Sequence, residues 1–464
     1  MLVSQILLVA HGCRSLATES RKAGAGHFEY RTTEFVDQHL STSTHLDLAS
    51  ARSSLNRGRR RVAIVTPVTP ALDSPNGWSP RLWSLIDALT ETADIDVFLW
   101  CGPMMEPDRA RLAWQHRPEV RVHFVKVGSN PWHRRTPAGR LRRFAHYALG
   151  RLPVECRPRR VPELAALLSD SPVDLVCLHL SLTAHLISRL PRSVPVVALL
   201  EEGMERWRLI EAANGPARYR LIGRTEARCF RHLYRAVSRR ASAVLAISSD
   251  EARWFADSGI PAERLIVIPH GVDTEYFAPS DEADSVDIDV GVFGLIDARN
   301  REPALTVVEA ATANWQWAFV GSIDEKSQQR LEARGITTTG WLSDLRPYYR
   351  RTKVVLVPAD RDTGVKTTLL QAWAMARPVV ATPWAIRGLP AVDGENVLVG
   401  EGPDELVRQC SALLADAGLR RRLGEAGRET VVQLRDMKPI ARSFADICSE
   451  IISDHSTVSQ STEY

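Results

Sequence analysis

Residues 354–382 read VVLVPADRDTGVKTTLLQAWAMARPVVAT. The opening run is apolar and β-branched and is closed by Pro358, the pattern of a strand buried on both faces of a parallel sheet. A polar loop with Gly364 and Lys366 follows, then helix-like residues 368–376 and a second buried strand at 378–381. Strand, glycine loop, helix and strand make a βαβ unit with a place for an anion. Free N–H groups and the positive end of the helix dipole would meet a phosphate there, and Lys366 would add a compact charge. Similar loops also occur where nothing binds, so this stretch alone decides the fold rather than a site.

Outward from that unit, 464 residues suffice for two α/β domains and a tail. No apolar run approaches the roughly 20 residues needed to cross a bilayer. Residues 1–10 are apolar but short, with no basic start and no small-residue cleavage site, so secretion is not expected. The seven cysteines lack CxxC spacing, which fits a reducing, cytoplasmic setting. The net charge of +4 conceals an asymmetry: residues 51–160 hold 20 Arg or Lys against 9 Asp or Glu. Such an excess in the N-terminal half suggests an anionic partner, whether a membrane surface, a lipid-linked phosphate or nucleic acid; the alternative is a solvated arginine-rich face. With no nucleic-acid motif beside it, a nucleic-acid role is not expected. Residues 131–152, PWHRRTPAGRLRRFAHYALGRL, read either as a basic amphipathic helix for anionic lipid or as a surface helix whose apolar stripe joins the core.

Residues 1–58 lack periodicity and predict a poorly ordered extension. The strand beginning at Arg61, the loop with Gly77, a helix at 81–92 and strands at 95–100, 120–125, 175–180 and 194–200 predict a Rossmann-like domain over 59–241. A long arginine-studded helix, 217–241, leads into a second set of βα units, placing a second domain at 242–436. Residues 437–464 read as a closing helix that packs across both halves, with a polar tail. Glu201, Glu202 and Glu205 follow an apolar strand, at the edge where α/β sheets hold ligands. Pairing with nearby arginines is their other reading.

Residues 243–279, AVLAISSDEARWFADSGIPAERLIVIPHGVDTEYFAP, resemble the domain-start signature of glycosyltransferase family 4. Ile268-Pro269-His270-Gly271-Val272-Asp273 stands where that family has IPNGVD. WAFVGS, GWLSDLRPYY and PVVATPWAIRGLP follow in family order, so the resemblance runs from about Arg61 to Val432. It implies an α/β protein of the GT-B fold, with two facing, doubly wound, Rossmann-like domains. It further implies a retaining hexosyl- or related transferase that needs no metal and no cofactor beyond its substrate. A UDP- or GDP-linked sugar would sit on the C-terminal domain, and a glycan, lipid-linked or small-molecule acceptor on the N-terminal one. Protein cations and helix N-termini would stabilise the departing diphosphate.

Carried over residue by residue, Gly364, Val365 and Lys366 match the G-V-K of one subgroup and imply that Lys366 contacts the diphosphate. Thr367 and Thr368 open the helix, Thr368 standing where the subgroup has a second lysine. The Arg and Lys that the family places after the first strand of its second domain are replaced by Leu295 and Asn300, leaving Arg299 or Arg301 as substitutes, or a solvated loop. The family's two glutamates fall on Thr363 and Gln371. Gln371 keeps a neutral acceptor for the donor ribose, and the first acidic role passes to Asp360 or Asp362. Ala376 replaces a family glycine. In the first domain Gly77 matches the glycine of the strand-one loop. The family's histidine near the fifth strand has no counterpart, and Glu202, among the three glutamates of that region, is the catalytic candidate there. His270 and the other histidines read as structural, and Trp254, Trp341 and Trp373 as core.

The expected function is therefore a cytoplasmic glycosyltransferase, with a peripheral position at the inner face of the membrane as an extension of that reading. A GT-B protein without turnover, serving as an assembly partner in polysaccharide synthesis, is the alternative that the lost acidic pair suggests. A nucleotide-sugar epimerase fits the IPHGVD region less well.

Overall fold

The computed structural model describes residues 59–71, 77–101, 107–126, 173–214, 217–280, 286–294, 298–311, 314–361 and 364–461. The expected extension 1–58, the basic segment 131–152, Leu295, Asp362, Thr363 and the side chains of Arg299, Asn300 and Arg301 lie outside that description.

Runs of apolar, largely β-branched residues form two parallel sheets. The first contains Arg60–Thr66 (β1), Ala93–Cys101 (β2), Val120–Lys126 (β3), Leu175–His179 (β4), Val196–Glu201 (β5), Ala243–Ala246 (β6) and Leu265–Val267 (β7), in the order β3-β2-β1-β4-β5-β6-β7. The second contains Ile288–Phe293 (β8), Trp317–Val320 (β9), Thr337–Thr338 (β10), Thr352–Val357 (β11), Val379–Ala381 (β12) and Leu398–Val399 (β13), in the order β10-β9-β8-β11-β12-β13. Strand order reverses between β1 and β4 in one sheet and between β8 and β11 in the other. In doubly wound sheets the crevice for a ligand opens at that reversal, beyond the carboxyl ends of the strands.

The helices that build the site are Trp78–Leu89 (α1), Met204–Asn214 (α2), Ala217–Arg240 (α3), Ser249–Asp257 (α4), Ala298–Ala310 (α5), Thr367–Ala374 (α6), Ala417–Leu434 (α7) and Met437–Ser461 (α8). Helix α6 buries Leu369, Leu370, Ala372, Trp373 and Ala374. It stops in a Schellman turn, with Arg377 N donating to Ala372 O (2.8 Å) and Ala376 N to Trp373 O (2.9 Å). That turn holds Ala376 at φ +53°, a conformation that suits the glycine of the family pattern.

The expected domain boundary needs correction. The second domain does not begin at Ser242: β6 pairs with β5 through Val197–Ala243 and Ala198–Val244, and β7 pairs with β6, so these strands complete the first sheet. The closing helices, as expected, span both halves, with Lys438 at the start of α8 paired to Glu275 of the second half. Helix α7 covers the second sheet through Leu423 and Val431, whereas Ile440, Phe444, Cys448 and Ile452 of α8 enter the first core beside Ile64, Leu85 and Cys177. The chain thus crosses between halves twice, at Gly271–Val272 and at Arg435–Met437. The crossings are stitched together by Val272 N to Arg435 O (2.9 Å) and Met437 N to Val272 O (3.0 Å). A methyl on Gly271 would come within 2.8 Å of Arg435 O, which leaves room there only for glycine. Trp341, expected in the core, is 46% exposed, while Trp373 is fully buried and donates to Asn396 O (2.8 Å).

Candidate active site

The carboxyl ends of the switch-point strands face each other across one cleft. From the first half, the loop after β1 delivers Gly77, which immediately precedes α1. A methyl on Gly77 would stand 3.0 Å from Cγ2 of Thr367 and 3.8 Å from Nε2 of His270. Thr367 is the first residue of α6, with Lys366 at the N-cap and no side chain capping the helix. Two helix N-termini, one from each half, therefore converge, and the opening N–H groups of a helix have no acceptor within it.

The loop before α6 holds the other residues expected from the sequence. Gly364 has φ +80°, a backbone conformation that L side chains rarely adopt, and Glu202 of the first half packs its carboxylate directly against it. Lys366 donates from Nζ to Gly364 O (2.7 Å), closing the loop on itself. Val365 packs near Gly388, where a methyl would stand 3.4 Å from Cγ2 of Val365 and 3.1 Å from Cβ of Ser248. Ser248 is the N-cap of α4, accepting from Glu251 N (3.2 Å). Thr368 lies beside Gly294 at the end of β8, and its carbonyl accepts from Tyr349 Oη (3.2 Å). The same hydroxyl donates to Gln371 Oε1 (3.1 Å), and the fully buried Tyr349 ring stacks on Phe293 at 3.9 Å. Gln371 is thus held from beneath, leaving a second lone pair on its amide oxygen. Arg299 lies in the first turn of α5, which follows β8. Asp360, one heir to the lost acidic role, is bound by Arg361 Nε and Nη2 (2.7 and 2.6 Å).

Sequence reasoning missed a buried polar cluster beneath this loop. Arg81 of α1 donates to Glu201 Oε1 (3.1 Å), Pro269 O (2.7 Å) and Ile268 O (2.8 Å). His179, at the end of β4, bonds Thr66 Oγ1 through Nδ1 (2.9 Å), and its Nε2 stands 3.8 Å from Glu201 Oε1. Nε2 of His179 and Oε2 of Glu201 have no hydrogen-bond partner among the described residues. Burial pushes the His179 and His270 imidazoles down to about 4, with Arg81 adding to the effect, so both rings are neutral. Burial raises the Glu201 carboxyl, but Arg81 and the two histidines outweigh it and hold the pKa below its ordinary value. The backbone is strained at the same edge, with Leu180 at φ +64° and Glu201 at φ +63°. A histidine therefore does stand at this sheet edge, on the fourth strand rather than the fifth. The rule that singled out the glutamates after β5 would have found it if applied to β4, since residue 179 ends that strand. Of the three glutamates, Glu205 is structural: fully buried, it accepts from Arg231 Nε (2.8 Å) and Ser258 Oγ (2.6 Å). Among the described residues no His, Cys, Asp and Glu side chains gather as a metal-holding group.

Comparison with known proteins agrees with this architecture. A family profile described as glycosyl transferase 4-like domain matches residues 76–271, ending where the chain first crosses between halves. A second, described as glycosyl transferases group 1, matches residues 302–416. Together they cover about two thirds of the chain. Over 100 residues the chain is 34% identical to the lipopolysaccharide core biosynthesis glycosyltransferase LpsE of Rhizobium meliloti (strain 1021), a match covering 20% of this chain. The chain spans 28% of the length of that curated relative. Among solved structures, sucrose-phosphate synthase from Thermosynechococcus elongatus aligns with a TM-score of 0.64 at 17% identity, over 85% of this chain and 100% of that one. Anabaena HepE in complex with UDP and glucose aligns at 0.61 and 15%, over 84% and 100%. WaaG, a glycosyltransferase involved in lipopolysaccharide biosynthesis, aligns at 0.58 and 15%, over 83% and 99%. At these identities the structural likenesses speak for the fold, and the two profiles speak for the family. The chain belongs to the glycosyl transferases of group 1, family 4, and has their GT-B fold.

Proposed function

We propose that the chain is a retaining glycosyltransferase that moves a sugar from a nucleoside diphosphate sugar to an acceptor hydroxyl. The observation that carries this reading is the meeting of Gly77 and Thr367, which brings two helix N-termini together at the two switch points. The diphosphate lies at the head of α6, met by N–H groups of its first turn and by Lys366. Arg299, at the head of α5, is the second cation. The bond from the anomeric carbon to the diphosphate oxygen breaks, and a bond to the acceptor oxygen forms on the same face. The acceptor's proton leaves with the diphosphate oxygen. Charge builds on the leaving group in that transition state, and fixed donors aimed at it lower the barrier without a metal. Gln371 accepts a ribose hydroxyl through its remaining lone pair. Glu202, packed on Gly364, supplies the carboxylate that the sequence lacks at Thr363.

HepE has been crystallised with UDP-glucose, which favours a uridine donor here. The names of LpsE and WaaG favour a saccharide acceptor of the lipopolysaccharide type, carried on a lipid. Cys177, Cys410 and Cys448 are buried as thiols and not as disulfides, which fits a cytoplasmic setting, where nucleotide sugars are made. The family match and the paired helix N-termini weigh against an assembly partner without turnover.

The purified protein, given a panel of UDP- and GDP-sugars with lipid-linked and free saccharide acceptors, is expected to release the nucleoside diphosphate only when acceptor is present. Proton NMR of the product is expected to show the donor's anomeric configuration. An inverted anomer would sink the retaining mechanism, and donor binding without release on any acceptor would sink turnover.

A further inference from the structure

The transfer reaction leaves one buried, titratable ring of the cleft without a task. His270 is 6% exposed, and its Nδ1 lies 3.1 Å from Gly271 O. A carbonyl oxygen only accepts, so Nδ1 carries the ring proton and Nε2 presents a lone pair. Burial, Arg81 and Arg435 together outweigh Glu201 and the Gly271 bond and push the imidazole down to about 4, so the ring is uncharged near neutral pH. Nε2 has no hydrogen-bond partner among the described residues and, unlike the sealed Nε2 of His179, keeps an opening to solvent.

That opening lies where the halves meet. A methyl on Gly77, the N-cap of α1, would reach both Nε2 (3.8 Å) and Cγ2 of Thr367 (3.0 Å), so the lone pair stands beside the heads of α1 and α6. The chain holds the ring from both sides. Arg81 binds the carbonyls of Ile268 and Pro269 (2.8 and 2.7 Å), and Gly271 presses on Arg435 O, to which Val272 N also donates (2.9 Å). Asparagine, the family's residue at this position, offers a donor and an acceptor on an amide that can turn over, whereas His270 offers a fixed acceptor alone. Helix N-termini attract phosphate oxygens, but an uncharged Nε2 repels them and calls for a hydrogen-bond donor. Beside a sugar diphosphate, that donor is a saccharide hydroxyl.

We propose that Nε2 of His270 accepts a hydrogen bond from a hydroxyl of a saccharide bound beside the diphosphate, which makes His270 a specificity residue of the cleft. It selects a sugar with a free hydroxyl at that point over one with a carboxylate there, because a carboxylate sets oxygen lone pairs against the lone pair of the ring. A sugar lacking the hydroxyl leaves a buried acceptor unpaired, which is the stronger form of discrimination. The inference rests on the transfer reading and deepens it. Donor sugar and acceptor both reach the diphosphate, and the same chemistry serves a hydroxyl of either.

The test uses the full chain, titrated calorimetrically with UDP and with UDP-glucose, and acceptor KM values from UDP release. His270→Phe keeps a flat ring, removes the lone pair, and is expected to bind UDP as the wild type does. A loss of about tenfold for UDP-glucose alone assigns the hydroxyl to the donor, and a rise of about tenfold in acceptor KM alone assigns it to the acceptor. His270→Asn, which restores an acceptor, is expected to recover most of either loss. Equal losses for UDP and UDP-glucose would overturn the proposal, because the ring would then only prop the diphosphate loop. Unchanged UDP-glucose affinity together with unchanged acceptor KM would overturn it as well. If His270→Phe does not fold, nitrogen NMR of the wild-type chain with isotope-labelled histidine decides. The His270 Nε2 signal, identified by its loss in His270→Asn, is expected to move with UDP-glucose or acceptor but not with UDP, and a signal that stays in place overturns the assignment. A chain that binds no UDP fails the transfer reading and this inference with it, whereas normal UDP binding with an indifferent His270 fails this inference alone.

Discussion

Glu202 packs its carboxylate against the α-carbon of Gly364, so that a methyl group on Gly364 would overlap Oε1 and stand 2.6 Å from Cδ. The two residues come from opposite halves of the cleft and meet across it. Gly364→Ala is therefore expected to cost about 1–2 kcal/mol from the left-handed backbone alone, and more from the overlap. Donor affinity should fall at least tenfold, about 1.4 kcal/mol. Gly364→Ala/Glu202→Ala should recover the part due to overlap and leave the backbone part. Calorimetric titration with UDP-sugar and thermal unfolding check both; a Gly364→Ala variant that binds donor normally would remove this loop from the site.

Gln371→Glu tests the ribose assignment. Tyr349 Oη donates to the residue's Oε1, and a carboxylate accepts the same bond, so the variant should fold normally. A charged acceptor strengthens a hydrogen bond by about 1 kcal/mol, which predicts roughly fivefold tighter donor binding. Unchanged affinity would mean that residue 371 only anchors Tyr349.

Arg81 satisfies Glu201 and two carbonyls of the β7 segment at once. Arg81→Leu leaves a buried carboxylate without its counter-charge, a loss of about 3–5 kcal/mol in denaturant unfolding. Adding Glu201→Gln should restore part of it, since a neutral amide costs less to bury. If the two losses simply add, the pair is not the source of the stability.

Ala376 sits at φ +53° in the Schellman turn that ends α6. Ala376→Gly is expected to stabilise the fold by about 0.5–1 kcal/mol, because relief of the left-handed strain exceeds the added freedom of the unfolded chain. A lower melting temperature for the variant would contradict this.

Stability should fall with acidification. Burial holds His179, His185 and His270 at about 4, against 6.5 for a free histidine. Between these values the unfolded chain binds more protons than the folded one, so stability is complete above 6.5 and declines as pH drops toward 4. Each buried ring contributes on the order of 1–3 kcal/mol. Glu201, whose pKa is lowered, adds its own loss below the ordinary carboxylate value. Denaturant unfolding across this range should show a shallower slope for His270→Asn; an unchanged slope would show that His270 does not carry its share.

The βαβ unit at 354–382 was legible because buried parallel strands are continuous apolar runs and because Gly364 and Lys366 punctuate the loop. The sheet to which 243–246 and 265–267 belong was not. AVLA and LIV are short βα strands like any others, and only their pairing onto β5 assigns them to the first half. The Gln371–Tyr349 bond joins residues 22 positions apart through tertiary packing, which no local pattern records. Glu202 could be suspected from its strand end, but its contact with Gly364 depends on how the halves close. His179 was hidden for a different reason: it reads as one more member of a buried strand, and its partners Thr66, Arg81 and Glu201 come from three other elements.

The return of α8 to the first half has a consequence for biosynthesis. The first core contains Phe444, Cys448 and Ile452 alongside Ile64 and Leu85, so a nascent chain that has already produced every strand of the first sheet still lacks one wall of that core. The second sheet and α7 are complete by residue 434 and can fold as soon as they clear the ribosome. Order of folding therefore runs against order of synthesis: the half made first is sealed last, and until residues 437–452 emerge its exposed apolar face is a natural client for chaperones.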